Sequence, residues 1–132
     1  MQAFATFHVN VADIIDFGKT AIGHRRMVPI TGGVVSGAIG SGVVLPGTDW
    51  QWVFEDGTIS LDAHYALRLD TGELVEVESR GTRYTDAAGK VIFRTSIRMS
   101  TSANRSDINV SMFNAIGSRG ENQVVLDLYR AV

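Results

Sequence analysis

Four side chains that can carry acid–base chemistry fall in two neighbouring segments with the alternation of β-strands. In the segment LDAHYALRL, Asp62 and His64 point to one side of the strand, and in LVEVESRG, Glu78 and Arg80 share one side. An imidazole, two carboxylates and a guanidinium suffice for general acid–base catalysis. We therefore predict His64 as the general acid or base, oriented by Glu78 or Asp62. Arg80 would stabilise developing negative charge.

The turn between these segments fixes which of the four side chains meet. The three-residue loop Asp70-Thr71-Gly72 supplies glycine at the left-handed position that such a loop requires. A two-residue loop would instead pair apolar with charged residues on each face. With the longer loop, His64 lies opposite Glu78 and Asp62 opposite Arg80, and each complementary pair typically contributes about 0.2–1 kcal/mol.

The same alternation has a second interpretation, in which the charged face is the solvated outside of a barrel. The opposite face would then line the barrel interior, either as solid core or around one small ligand. Periodicity leaves both interpretations open. The residues of that opposite face are Leu61, Tyr65, Leu67, Val75, Val77 and Phe93.

Strand periodicity extends along most of the chain and sets the fold class. Many short strands with glycine-containing turns predict an all-β fold, and a single-domain antiparallel β-barrel over residues 1–132, with a sandwich as the alternative. We expect at most one short helical turn, at residues 11–17 and ended by Gly18. Strands are predicted at residues 3–10, 26–36, 42–45, 50–55, 61–69, 74–83, 90–100, 108–115 and 124–131.

Composition excludes several classes of function. The 132 residues carry a net charge of −2 and no Lys/Arg-rich run, so we expect no nucleic-acid partner. The sequence shows neither a signal-peptide pattern nor a membrane-spanning apolar run, so we expect a cytoplasmic protein without a membrane partner. Cysteine is absent, which excludes disulfides and a Cys nucleophile. His8, His24 and His64 show no metal-ligand spacing, so we expect neither a metal nor an organic cofactor.

The glycine-rich stretch GAIGSGVVLPGTDWQW, residues 37–52, raises the question of a phosphate-binding loop. Its glycines read G-x-x-G-x-G and no helix-forming segment follows, so a helix N-terminus that could aim its amides at phosphate is missing. We predict that the stretch turns the chain between strands and presents Asp49 and Trp50 at the rim of a small-ligand site. Trp50, Trp52 and Phe54 share a strand face and are predicted to be core.

Two further side chains complete a predicted ligand-binding set of Asp49, Trp50, Tyr65 and Arg94. Tyr65 could donate a proton, although alternation puts it on the face opposite His64. Arg94 belongs to a strand whose guanidinium groups can form a charged surface or bind a carboxylate-bearing ligand.

Five blocks of the sequence stand out together. They are GHRRMVPITGGVVSG, GSGVVLPGTDWQW, EDGTISLDAHYALRLDTGELVEVESRG, VIFRTSIRMSTS and the closing VVLDLYRAV. Their combination resembles a bacterial and fungal family of unknown function, DUF3237. The resemblance implies a single-domain antiparallel β-barrel that often forms oligomers, and it implies no established activity. The family pattern falls on Gly33, Gly37, Pro46, Gly47, Asp49, Trp50, Asp62, Tyr65 and Gly81.

The chain departs from the family pattern at two places. Family members more often carry Arg at the position of His64. They also tend to carry Trp-Leu-Asn where this chain has Asp107-Ile108-Asn109, so this chain lacks that Trp.

Two classes of function follow from these observations. The first is an enzyme without metal or organic cofactor, a lyase, isomerase or cyclase that acts on a small apolar carbonyl or aromatic compound. The alternative is a non-catalytic module that binds a small hydrophobic ligand, or an oligomeric accessory protein. In either class we expect a small-molecule ligand or substrate and a homo-oligomer, most simply a dimer. The sequence leaves open whether the protein is an enzyme and which face of residues 61–69 looks inward.

Overall fold

The computed structural model describes residues 2–131 as an antiparallel β-barrel. Within these residues the chain forms ten strands and one helix of four residues. The elements are β1 (Ala5–Val11), β2 (Ile15–Thr20), β3 (Gly23–Gly37), β4 (Gly42–Val44), β5 (Gly47–Val53), β6 (Ile59–Leu69), β7 (Leu74–Thr85), β8 (Val91–Thr101), α1 (Ser106–Asn109), β9 (Met112–Arg119) and β10 (Gln123–Arg130).

The pairing of β1 with β3 closes the barrel. From β1 the strands follow in the order β10, β9, β8, β7 and β6, each paired antiparallel with the next. β4 and β5 both lie between β6 and β3, so together they fill one of the eight strand positions that the described residues form. β2 pairs with the first part of β3, and β1 with its second part. The predicted barrel is therefore confirmed.

The apolar face of the β6–β7 hairpin fills the interior of the barrel. Burying one large apolar side chain contributes about 1.5–3 kcal/mol, which explains why this face rather than the charged one turns inward. The interpretation that puts the charged face outside is thus confirmed. All six residues predicted for that interior are buried, namely Leu61, Tyr65, Leu67, Val75, Val77 and Phe93.

The predicted register of this hairpin is also confirmed. Tyr65 pairs with Val77 and His64 with Glu78, as the three-residue loop requires. Gly72 has a φ of +92°, the left-handed conformation for which glycine was expected at this position.

The glycine-rich stretch turns the chain, as predicted. It contains the end of β3, a turn, β4 and most of β5. At Gly47, an added Cβ would overlap the carbonyl oxygen of His64 and come within 2.6 Å of the Cβ of Tyr65. Glycine therefore allows β5 to approach β6 two residues before Asp49, which brings Asp49 close to the strand that carries Tyr65.

An apolar plug seals one end of the barrel. Ile39, from the turn before β4, and Ile108 of α1 are both fully buried there. Phe113 stacks on Phe4 with ring centroids 4.8 Å apart. The guanidinium of Arg105 holds the plug together, because its two terminal nitrogens donate to the carbonyl oxygen of Ile39 at 3.1 and 3.2 Å. Within residues 2–131, no helix is long and apolar enough to cross a membrane.

The predicted helical turn at residues 11–17 is wrong. Val11 ends β1 and Ile15 begins β2, and β2 satisfies its backbone groups by pairing with β3. The short helix lies instead at Ser106–Asn109, and the strand predicted at residues 108–115 begins only at Met112. Both errors concern short segments in which neighbouring strands, rather than local pattern, decide the structure.

The prediction that the β5 aromatic residues form core is also wrong. Trp50 is 36% exposed and Phe54 is 52% exposed, on the outside of the barrel. Trp52, on the same face, is half-buried, with the Arg25 guanidinium 4.2 Å from its ring centroid. Trp50 packs there against Phe17, with ring centroids 5.6 Å apart, and the Arg25 guanidinium lies 4.9 Å from its ring centroid. The cause is that β5 turns its polar residues inward, and these residues define the candidate site.

Candidate functional site

The predicted acid–base residues come together on the outer surface of β6 and β7. The Nε2 of His64 lies 2.6 Å from Oε2 of Glu76, so the imidazole bonds to this diagonal neighbour rather than to the predicted Glu78 or Asp62. The Nε of Arg80 donates to Oδ1 of Asp62 at 3.2 Å, and Glu78 lies in the same shallow groove as His64. The hydrogen bond with His64 lowers the pKa of the Glu76 carboxyl. The side chains of His64 and Arg80 are 61% and 71% exposed, so water screens the group strongly. Its catalytic role stays a prediction.

Part of this outer group also has the composition of a metal site. Ligand atoms of His64, Glu76 and Glu78 all lie within 4.8 Å of one another, and all three residues are exposed. Imidazole and carboxylate groups are ordinary zinc ligands. The other histidines have separate partners, since His24 bonds to Asp16 at 2.7 Å and His8 lies beside Gln123. The expectation of no metal rested on histidine spacing alone, and it stays a prediction.

Two members of the predicted ligand-binding set, Trp50 and Arg94, face away from the barrel interior. Trp50 belongs to the outer aromatic cluster described above. Arg94 is exposed on β8, where its Nη1 donates to the carbonyl oxygen of Phe93 at 3.0 Å. The structure therefore places these two residues apart from Asp49 and Tyr65.

Asp49 and Gln51 of β5 point into the barrel and form a hydrogen-bonded chain. The Nε of Arg26 donates to Oε1 of Gln51 at 2.7 Å, and Nε2 of Gln51 donates to Oδ2 of Asp49 at 2.8 Å. The backbone amide of Asp62 donates to Oδ1 of Asp49 at 3.0 Å. These bonds fix the orientation of the Asp49 carboxyl group toward the interior.

Burial sets the protonation behaviour of Asp49. Loss of contact with water raises the pKa of its carboxyl group, and the hydrogen bonds from Gln51 and the Asp62 amide oppose that shift without cancelling it. A carboxyl group with a raised pKa exchanges a proton more readily near neutral pH than an ordinary aspartate does. The Asp49 carboxyl group is therefore shielded from water, whereas the side chains of the outer group are exposed to it.

A small cavity of about 50 Å³ lies beside Asp49 in the barrel interior. A buried water needs roughly 10–15 Å³ of such space, so the cavity has room for a few heavy atoms. The hydroxyl oxygens of Tyr65 and Thr95 are buried without a hydrogen-bond partner among the described residues. The cavity is lined by Val9, Val11, Ile30, Asp49, Leu61, Ala63, Tyr65, Ser79, Phe93, Thr95, Val124 and Leu126.

The Tyr65 hydroxyl is held in its protonated form. Burial raises its pKa, and the Asp49 carboxylate adds to that effect. A protonated phenol can donate a hydrogen bond, and this one has no acceptor in the described part of the chain. An acceptor on a ligand would satisfy it.

Sequence reasoning missed the polar residues Gln51, Ser79 and Thr95, all of which are buried. A signal was present in β5, where aromatic residues alternate with Asp49 and Gln51. We interpreted the aromatic side as core, because large apolar side chains are normally inside. In this barrel the pattern instead marks a strand that turns its polar side toward a cavity.

Fold and geometry together define a closed antiparallel β-barrel with a small, mostly apolar cavity. Around the cavity lie a sheltered carboxyl group and hydroxyls that have no hydrogen-bond partner within residues 2–131. Residues 1–131 match the family described as "Protein of unknown function (DUF3237)", and the chain belongs to this family. The predicted family resemblance is thus confirmed.

Relatives of similar length come from several bacteria. The chain is 32% identical to UPF0311 protein RPA1785 of Rhodopseudomonas palustris, over 96% of this chain and 93% of that protein. It is 41% identical to UPF0311 protein blr7842 of Bradyrhizobium diazoefficiens over 80 residues, which cover 60% of this chain and about half, 52%, of that protein.

Solved structures share the fold. The crystal structure of RPA1785, described as a conserved protein of unknown function, has a TM-score of 0.92 at 29% identity and covers 99% of this chain and 96% of that one. A β-barrel-like protein of Acinetobacter baumannii has a TM-score of 0.92 at 28% identity, with 98% and 93% covered. An enzyme from Penicillium herquei has a TM-score of 0.76 at 17% identity, with 97% and 92% covered, and is similar in fold alone.

Proposed function

We propose that the protein binds the reacting end of a small, largely apolar carbonyl or aromatic compound in the barrel cavity and catalyses proton transfer on it. The observation that carries this proposal is the partly buried Asp49 carboxyl beside a Tyr65 hydroxyl that has no hydrogen-bond partner among the described residues, in a mostly apolar cavity. Such a pocket, apolar with a few convergent polar groups, is typical of small-molecule sites. The reaction class is that of a lyase, isomerase or cyclase.

The proposed chemistry assigns one role to each polar group. The Asp49 carboxylate removes a proton from the carbon next to the carbonyl group, and the electrons of that bond form an enolate. The Tyr65 hydroxyl donates a hydrogen bond to the enolate oxygen, where the negative charge develops. Where a double bond is conjugated with the enolate, Asp49 then returns the proton to the γ-carbon, which shifts the double bond. Where the β-carbon carries a leaving group, the enolate expels that group and the Asp49 carboxyl group protonates it. The Thr95 hydroxyl supplies a second donor or acceptor on the same cavity wall.

The size of the cavity limits what enters it. About 50 Å³ accommodates a reacting group of a few heavy atoms, whereas a whole drug-sized molecule needs a larger pocket. The remainder of the compound would extend toward the end of the barrel opposite α1.

The second candidate function is binding without turnover, and the apolar lining of the cavity favours it equally. Exchange of hydrogen for deuterium next to a carbonyl group distinguishes the two. We would incubate the protein in D₂O with cyclohexanone and acetophenone and follow exchange by proton NMR, with binding measured in parallel by ligand-observed NMR.

The variants Asp49→Asn and Tyr65→Phe locate the activity. Enzymatic function predicts exchange that Asp49→Asn abolishes while binding persists. Binding without exchange by the unaltered protein identifies a binding module. The matched control is His64→Ala on the outer face. Loss of exchange in that variant alone would assign the catalysis to the outer group instead of the cavity. Absence of both binding and exchange contradicts the cavity proposal.

A further inference from the structure

Three arginines project toward the end of the barrel opposite α1, and we name Arg26, Arg83 and Arg119 the mouth arginines. Each lies on the inward face of its strand: Arg26 alternates with the buried Val28 of β3, and Arg83 and Arg119 continue the inward faces of β7 and β9. The strand pairings bring them next to the site. Arg83 pairs with Phe93, Arg119 with Val124 and Arg26 with Gln51. Phe93 and Val124 line the cavity, and Gln51 holds Asp49.

The charges of the other two mouth arginines both act on Arg83. Burial lowers the pKa of the Arg83 guanidinium, and the charges of Arg26 and Arg119 lower it further. Asp49 is the carboxyl group that opposes this effect, and its oxygens already accept hydrogen bonds from Gln51 and the Asp62 amide.

No carboxylate in the described part of the chain forms an ion pair with a mouth arginine. Asp16 pairs with Arg26 across β2 and β3, but its oxygen is held by His24 and by the amide of Gly18. Among the described residues, the arginines that do form an ion pair with a carboxylate are Arg80 and Arg105. The chain as a whole carries a net charge of −2, so the positive mouth is a local arrangement.

We propose that the mouth arginines bind the carboxylate of an organic anion whose apolar end enters the cavity. Guanidinium groups bind carboxylates through paired, charge-assisted hydrogen bonds, and a cluster of them also attracts anions from solution. An anion would relieve the mutual repulsion of the three cations. This inference rests on the proposed function in one respect, because it uses the same cavity for the apolar end of the ligand.

The test compares benzoate and cyclohexanecarboxylate with their neutral primary amides, which have similar shape and no charge. Dissociation constants are measured by NMR titration at low and at high salt. The amides report on the cavity alone, and the carboxylates report on the cavity and the mouth together. The variants are Arg83→Gln and Arg119→Gln. Arg98→Gln is the matched control, since Arg98 is exposed on the outer face of β8.

We expect each carboxylate to bind at least about tenfold more tightly than its amide, which corresponds to one charge-assisted hydrogen bond. Arg83→Gln and Arg119→Gln should each remove most of that preference and leave amide binding unchanged, and added salt should weaken carboxylate binding. Both residues are half-exposed, so we expect both variants to fold. If one of them does not fold, the other still tests the inference.

Four outcomes contradict the inference. Equal binding of acid and amide, with amide binding retained, removes the anion site and leaves the cavity proposal standing. A carboxylate preference that survives both mouth variants shows that the anion binds elsewhere. Loss of that preference in Arg98→Gln shows that the anion binds on the outer face. Failure of every acid and amide to bind contradicts the anion site and the cavity together.

Discussion

Replacing Tyr65 by phenylalanine is expected to stabilise the protein, although it removes a group proposed to act on the ligand. The Tyr65 hydroxyl is buried without a hydrogen-bond partner in the described structure, and the whole residue is 5% exposed. A buried polar group without a partner typically costs about 1–3 kcal/mol. Phenylalanine keeps the ring and its packing, so the variant should gain about 1 kcal/mol or more in the free energy of unfolding.

The size of this effect is measurable. Globular proteins gain roughly 2.1 cal/mol/K of entropy per residue on unfolding, so for a chain of this length 1 kcal/mol corresponds to a rise of about 4 °C in Tm. Urea unfolding at constant pH gives the free energy directly. The matched control is Tyr84→Phe, because Tyr84 lies on the neighbouring strand β7 and is 40% exposed. Loss of its hydroxyl group should change the free energy of unfolding by less than about 0.5 kcal/mol.

One result would refute this reasoning. Destabilisation of Tyr65→Phe by 1 kcal/mol or more means that the hydroxyl already makes a strong hydrogen bond in the folded protein. The cavity would then contain an ordered acceptor, such as water, that a ligand must displace. Stabilisation together with weaker binding of acetophenone is the pattern that a ligand-directed hydroxyl predicts.

Three further predictions concern Asp49, His64 and Gly47. The raised pKa of Asp49 means that ionisation of its carboxyl group opposes folding. The free energy of unfolding, relative to that of Asp49→Asn, should therefore fall as pH rises above about 3.8. Urea unfolding between pH 3 and 7 measures this difference, and a relative stability that rises with pH contradicts the prediction. His64→Ala should raise the pKa of Glu76 toward its ordinary value in a carbon-detected NMR titration, and an unchanged Glu76 would show that the bond to His64 does not persist in solution. Gly47→Ala should destabilise the protein by about 2 kcal/mol or more in urea unfolding, because its Cβ would overlap the backbone of β6. Gly57 has a φ of +89° and open space around it in the described residues, so Gly57→Ala should lose only the backbone strain, about 1 kcal/mol.

The sequence was sufficient for the β6–β7 hairpin because several local signals agree there. Strict alternation, a glycine at the left-handed loop position and complementary charges all specify one register, with Tyr65 opposite Val77. A slip by one residue would have exposed Leu67 and buried His64, at a cost of several kcal/mol. The charged face could be recognised as a cluster of side chains, but whether that cluster is functional is a separate question that alternation cannot answer.

β5 could not be assigned in the same way, since alternation identifies two faces without saying which is inside. The usual rule places aromatic residues inside, and here Trp50 lies outside while Gln51 is 5% exposed. The rule fails where the interior must supply hydrogen-bonding groups, as it does beside Asp49. Once the neighbouring strands have fixed which side of a strand faces inward, a polar inward face is unfavourable in a solid core. Such a strand therefore indicates a cavity.

The two ends of the barrel differ in how well their charged and polar groups are satisfied. At the end that contains α1, Ile39, Ile108 and Phe113 are fully buried, and Arg105 is neutralised by nearby carboxylates. Toward the other end, the hydroxyls of Tyr65 and Thr95 have no hydrogen-bond partner among the described residues, and the charges of Arg26 and Arg119 act on Arg83. Both features lower stability. Such unfavourable features persist in a folded protein when the rest of the structure outweighs them, and they are common at functional sites. If the mouth and cavity do not recognise a ligand, then Tyr65→Phe and Arg83→Gln should each stabilise the protein and leave unchanged whatever binding of the acids and amides is found. Stabilisation that comes with lost affinity assigns those features to recognition.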